Sequence, residues 1–267
     1  MPSGWSHTSA AYVETVSGLC AGTYDALVAA ADVRPGDAVL DVGAGTGLLG
    51  QRLAEAGAEV TLAEPDPQML ALAGVRLQDS ARLRRAGLPD LPFGDGAFDV
   101  VTANFVVNHL DDPRTGMAEL ARVTAPGGRV VVTIWPSGRT AQARLWHAVI
   151  EESGAERPEG VRLPPDRDFP RTLDGLASLL TGVGLVDVMA RLVRWTYHGA
   201  VDDLWRAAEA GIGGIGVLVT SQTDEVCDRM RTAYDGLVTD LTDPEGDLAL
   251  TTEAVLAVGT RSQDPGA

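Results

Sequence analysis

The chain has 267 residues, 45% hydrophobic and 22% charged, enough apolar mass for one α/β domain with an elaboration or for two small domains. A formal net charge of −16 argues against a nucleic-acid backbone as partner, which would demand basic surface. No apolar run nears the ~20 residues of a membrane span and no basic-then-apolar leader opens the chain, so a cytoplasmic protein with no membrane partner is expected, while Cys20 and Cys227 are too few and too distant for a disulfide framework or metal site.

In chain order, Tyr12, Val13, Val16, Leu19 and Cys20 share a helical face, continued by Tyr24, Leu27, Val28 and Ala31. The turn Asp32–Asp37 leads into a buried strand, Ala38–Val42, which ends in Gly43-Ala44-Gly45-Thr46-Gly47. Leu48, Leu49, Leu53 and Ala56 then follow at helical spacing. Glycines in such a strand-to-helix turn let the backbone approach a ligand closely and adopt dihedrals that a side chain forbids. Val60–Ala63 reads as a second strand with Glu64 at its carboxyl end, where a carboxylate can accept both hydroxyls of a ribose. The Glu64-Pro65-Asp66-Pro67 turn also reads as a plain helix start, and Met69, Leu70, Leu72 and Ala73 mark that helix. A weak third strand, Arg82–Ala86, precedes Gly87-Leu88-Pro89-Asp90-Leu91-Pro92-Phe93. The fourth strand is Phe98–Asn104, with Asn104 at the edge where open parallel sheets bind ligands. His109 follows it closely, Met117, Leu120, Ala121 and Val123 form a crossover helix, and Pro126-Gly127-Gly128 leads into a strand over 129–135.

A dinucleotide fingerprint that starts at Gly43 requires glycine at its sixth position, and Leu48 stands there. The pattern present is Asp-x-Gly-x-Gly-x-Gly, Asp41 to Gly47. With Glu64, the Gly87–Phe93 segment and the strand-end Asn104 with its Pro-Gly-Gly sequel, it resembles the Rossmann-like (class I) S-adenosylmethionine (SAM) dependent methyltransferases from about residue 36 to 135. The resemblance implies an α/β fold with a Rossmann-like seven-stranded, mostly parallel sheet, helices on both faces and a small helical cap. It implies SAM as cofactor and S-adenosylhomocysteine as product, with Asp41, Gly43, Ala44, Gly45, Gly47, Glu64, Pro65 and Asn104 around it. Tyr12 is a candidate for the methionyl carboxylate or a core residue of its helix pair, and Met69 a neighbour of the adenine or helix core. Where the family usually carries an aspartate for the adenine amino group, this chain has Gly87, so that contact falls to backbone groups around Gly87 and Leu88.

Beyond residue 135 the likeness is architectural. Leu173, Leu176, Leu179 and Leu180 form a helix before a strand near 186–197, and a last strand near 248–258 completes seven. The expected organisation is a helical cover over 1–35, a SAM-binding core over 36–198 with an insertion at 136–170, a helical lid over 199–240, and a last strand with tail over 241–267. Gly211–Gly216 fits the dinucleotide pattern formally, but no strand leads into it; a flexible lid turn is expected there. The expected function is transfer of a methyl group to oxygen, nitrogen or carbon of a small molecule, as in natural-product biosynthesis. Two alternatives stand: a SAM-holding protein that catalyses another reaction, such as a cyclisation, and a nicotinamide-dependent oxidoreductase, against which Leu48 argues. Oligomeric state is undetermined by the sequence, and no metal is indicated. Of His7, His109, His147 and His198, only His109 lies just past the fourth strand. Base, loop brace and substrate-positioning roles are all open to it.

Overall fold

The computed structural model describes residues 8–138, 140–158 and 163–263. Three short helices lead, α1 (Ser9–Glu14), α2 (Ser17–Ala21) and α3 (Tyr24–Ala31). The expected continuous face from Tyr12 to Cys20 is broken at Thr15, whose hydroxyl bonds back to the Ala11 carbonyl, and Val13 is exposed. The core follows as β1 (Ala38–Val42), α4 (Leu48–Glu55), β2 (Glu59–Ala63), α5 (Pro67–Leu77), β3 (Ala81–Arg84), β4 (Phe98–Asn104), α6 (Pro113–Val123) and β5 (Thr124–Ile134). Then come α7 (Ala141–Ser153), α8 (Leu173–Thr181), β6 (Leu185–Gly199), α9 (Asp203–Glu209), α10 (Gly213–Thr220), α11 (Asp224–Leu237) and β7 (Leu248–Arg261).

The seven strands form one sheet in the order β3-β2-β1-β4-β5-β7-β6. β1 pairs in parallel with β2 and β4, β2 with β3 and β4 with β5, whereas β7 runs antiparallel to both β5 and β6. Central strands covered on both faces need apolar side chains on both, which is why β1 and β4 are nearly continuous hydrophobic runs. On one face Leu27, Leu49, Leu53 and Leu62 pack together; on the other, Leu40, Met117, Leu120, Leu176 and Leu180 do. Helix starts follow their caps. The Asp66 carboxylate accepts the Gln68 and Met69 amides with Pro67 in the first turn, and Asp112 does the same for Arg114 and Thr115 before Pro113.

A third apolar cluster sits outside the sheet. Trp146 of α7, Trp205 of α9 and Tyr234 of α11 meet at centroid distances of 5.5–6.2 Å, over Leu248 and Leu250 of β7. The sequence between β6 and β7 therefore packs as a helical layer with its own buried core. Gly213 to Gly216 lies in the first turn of α10, so the flexible turn expected at Gly211–Gly216 is confined to Gly211 and Ile212. The reason is packing: Gly216 closes against the backbone of Gly211, where a Cβ would come within 2.1 Å. Two smaller expectations shift as well: the third strand begins at Ala81, and Leu72 is solvent-exposed. Among the described residues no helix is long and apolar enough to cross a membrane. Residues 1–7, with His7, and the end of the tail, 264–267, lie outside the described residues.

Candidate functional site

The strand order reverses between β1 and β4, so the loops leaving their carboxyl ends diverge and open a crevice. A cavity of about 860 Å³ occupies it, in the range of small-molecule sites. One wall comes from the sheet edge: Gly43, Gly45, Glu64, Pro65, Asp66, Met69 and the segment Asn104–Val106. The other comes from Trp135, α7 and the α9–α10 region, with Tyr12 and α2 at the side.

The glycine loop is shaped by backbone chemistry. Gly43, Gly45 and Gly47 all have positive φ, at 67°, 55° and 79°. The Gly43 and Ala44 amides donate to the Ala63 carbonyl at 2.8 and 3.3 Å, fastening the loop to β2. A Cβ on Gly43 would meet Val106 at 2.5 Å, and one on Gly47 would meet Leu77 at 2.6 Å. A Cβ on Gly45 would meet nothing within 4 Å, because that side of the loop faces the cavity.

Glu64 is buried and holds the loop from beneath. Its Oε2 accepts the Gly45 amide at 2.8 Å and its Oε1 accepts the Asp66 amide at 2.9 Å. Burial raises its pKa while those two N–H groups pull the other way. Each carboxylate oxygen has a second lone pair, so both retain an acceptor site for a hydroxyl. An open glycine face beside a buried acid with acceptor sites to spare can take a ligand that brings hydroxyl groups to Glu64.

Other predicted residues are placed as follows. Tyr12 lines the cavity beside Cys20, and burial raises its pKa strongly. Pro65 and Met69 line it too. Asn104 reaches the wall, but its amide is also a brace. Its Oδ1 accepts the Thr23 and Thr133 hydroxyls at 2.8 and 2.5 Å, and its Nδ2 donates to the Cys20 carbonyl at 3.4 Å. Asp41, Ala44, Gly47, Gly87 and Leu88 are not on the cavity wall. Asp41 turns into the sheet, where Thr102 of the paired strand donates to its Oδ1 at 2.8 Å, and burial pushes its pKa up to about 7. Leu88 is core, and Gly87 abuts Pro65. His109 stands in a short 3₁₀ turn over 107–109 on the cavity wall, its pKa lowered by burial. His147 and His198 are largely exposed and face Glu151 and Asp243.

Two residues that motif reading passed over stand at the centre. Phe105 has a φ of 56°, uncommon for a bulky side chain, and is held there by its amide bonds to Thr133 and by stacking on Trp135 at 3.9 Å. Trp135 follows the last residue of β5. The rule that singled out Asn104, a side chain at the carboxyl end of a parallel strand, applies equally to it. Among the described residues no group of three or more His, Cys, Asp or Glu side chains is placed to hold a metal ion.

Residues 40–132 match the family model described as a methyltransferase domain. A demethylmenaquinone methyltransferase of Clavibacter sepedonicus is 41% identical over 99 residues, 36% of this chain and 40% of that protein. Against that relative the chain thus spans about two fifths of the length. A demethylmenaquinone methyltransferase of Renibacterium salmoninarum is 32% identical over 192 residues, covering 66% of this chain and 76% of that one. Among solved structures, the YcgJ protein of Bacillus subtilis superimposes with a TM-score of 0.58 at 18% identity, over 91% of this chain and 99% of that one. With the glycine loop, the acid after β2 and the sheet order already seen, these matches identify the chain as a member of the Rossmann-like, SAM-dependent methyltransferase family.

Proposed function

We propose that this protein transfers the methyl group of SAM to a small, largely apolar acceptor held between the sheet edge and the inserted helices. The observation that carries this reading is the continuity of the cavity: one chamber joins Gly45 and Glu64 to Trp135, Leu204 and Ile215. When bound, SAM supplies a methyl group already activated by its sulfonium charge. The protein's own residues then have three tasks. The Gly43–Gly47 loop and Glu64 seat the methionyl and ribose parts, with Pro65 and Met69 toward the base. The aromatic pair Phe105–Trp135 and the apolar face of α9, Leu204, Ala207 and Ala208, orient the acceptor and exclude water. His109 takes the acceptor's proton. Burial keeps its imidazole neutral at pH 7, the form that can accept one.

The acceptor atom is oxygen, nitrogen or carbon. The relatives described as demethylmenaquinone methyltransferases make a quinone the first acceptor to try. Residues 199–240, with the N-terminal helices, act as the cover of the chamber. The test is twofold: calorimetric titration with SAM and S-adenosylhomocysteine, then mass spectrometry of acceptors incubated with SAM. Binding of both cofactor forms and a product heavier by one CH2 unit are expected. Failure to bind either form would overturn the reading.

A further inference from the structure

The two walls of the cavity differ in charge. On the sheet-edge wall the acidic side chains are Glu64 and Asp66, with His109 beyond them. On the wall built by α7, the segment after it and the α9–α10 region, the ionisable side chains among the described residues are Arg144, His147 and Arg157, with no carboxylate. That is unexpected in a chain with 37 acids against 21 basic residues. The nearby acids are turned elsewhere. Asp203 accepts the Tyr197 hydroxyl and the Ala200 amide, Asp202 pairs with Arg231, and Glu151 pairs with His147 without lining the cavity. Arg157 forms no hydrogen bond or ion pair among the described residues, although most arginines of this acidic protein do.

Resting on the assignment of this chamber to a methyl transfer, we propose that the acceptor is an apolar, planar molecule bearing a carboxylate, and that Arg157 with Arg144 binds that carboxylate. The planar body would lie against the aromatic surface that Phe105 and Trp135, stacked on each other, present to the cavity. Charge suits the opposite wall: a guanidinium fork pairs with a carboxylate in two parallel hydrogen bonds. The chain's overall negative field would repel such an acceptor at long range, so its recognition falls to these local cations. The arrangement also sets direction. The arginines draw the carboxylate to their wall, which turns the other end of the acceptor toward Glu64 and the glycine loop.

The test uses the intact protein saturated with S-adenosylhomocysteine and a matched pair of probes, 2-naphthoate and neutral 2-naphthamide, titrated by calorimetry. The acid should bind about tenfold tighter or more than the amide. Arg157→Gln should remove most of that preference, with the melting temperature unchanged because this side chain is exposed, and Arg144→Gln with Arg157→Gln should remove all of it, while amide affinity stays put in both. Equal binding of acid and amide overturns the proposal, as does a preference that survives the double variant, or binding of neither probe to protein that takes up S-adenosylhomocysteine. Failure to take up S-adenosylhomocysteine at all would instead strike the methyltransferase function itself.

Discussion

The two walls of the chamber are built by different means. The sheet-edge wall is mainly backbone: three glycines at positive φ, amides fastened to the Ala63 carbonyl, and one acid whose oxygens are already tied to the loop. The opposite wall is mainly side chains, delivered by α7 and, some 60 residues later, by α9 and α10, and locked by the Trp146–Trp205–Tyr234 cluster. A backbone wall suits a ligand that is constant across a family, because its shape depends on few residues. A side-chain wall can be rewritten by substitution without disturbing the sheet. Variants in the first should therefore change cofactor affinity, and variants in the second should change acceptor handling alone.

The largest effect belongs where the walls meet. His109→Gln should lower kcat by about a hundredfold or more with SAM affinity preserved, the range for losing a general base. Burial places the His109 pKa below its ordinary 6.5, so the neutral base is present above the folded pKa and lost as pH falls through it. An acidic limb of kcat/KM below about pH 6.5 is expected in the wild type and absent in the variant. The same shift makes the folded state lose stability as pH drops through the unfolded value. Near-normal turnover of His109→Gln at every pH would leave the chemistry to positioning.

Gly45→Val comes next. Its Cβ points into the open chamber, so SAM affinity should fall about a hundredfold, while the left-handed φ costs the fold only about 1–2 kcal/mol. Calorimetry and a thermal melt separate the two. Wild-type affinity would mean that the ligand does not lie against the loop. Glu64→Ala should weaken SAM by roughly one to two decades, the cost of losing a charged hydrogen-bond partner. Because Glu64 also holds the Gly45 and Asp66 amides, Glu64→Gln should recover part of the loss.

Two smaller tests address the side-chain wall. Hydrogen exchange should show 203–220 more protected with both ligands than without; equal protection in both states would count against a moving cover. Glu14 of α1 and Arg206 of α9 meet at 2.7 Å, both largely exposed, so Arg206→Ala should cost at most about 1 kcal/mol of stability. Its expected signature is a severalfold rise in acceptor KM with SAM affinity unchanged. A change in SAM affinity of the same size would erase the distinction between the walls.

What the sequence determined by itself was the backbone wall. Gly43, Gly45 and Gly47, the strand that feeds them, Glu64 and Asn104 are legible because local chemistry dictates them: a tight strand-to-helix turn needs glycine, and strand ends fall on the binding edge. Apolar periodicity marked individual strands and helices, whereas the seven-stranded sheet and its helical cap were implied by the resemblance to the Rossmann-like methyltransferases. Only the tertiary structure decided the rest. It turned Asp41 under Thr102 and away from the chamber, since strand pairing and not loop position sets where that carboxylate points. Packing of Gly216 against Gly211 made a helix of a glycine-rich stretch that reads locally as a flexible turn. Trp135, Leu204 and Arg157 share one cavity because helices separated by most of a domain close over a common core. No local pattern records such a meeting; burial of Trp146, Trp205 and Tyr234 brings it about.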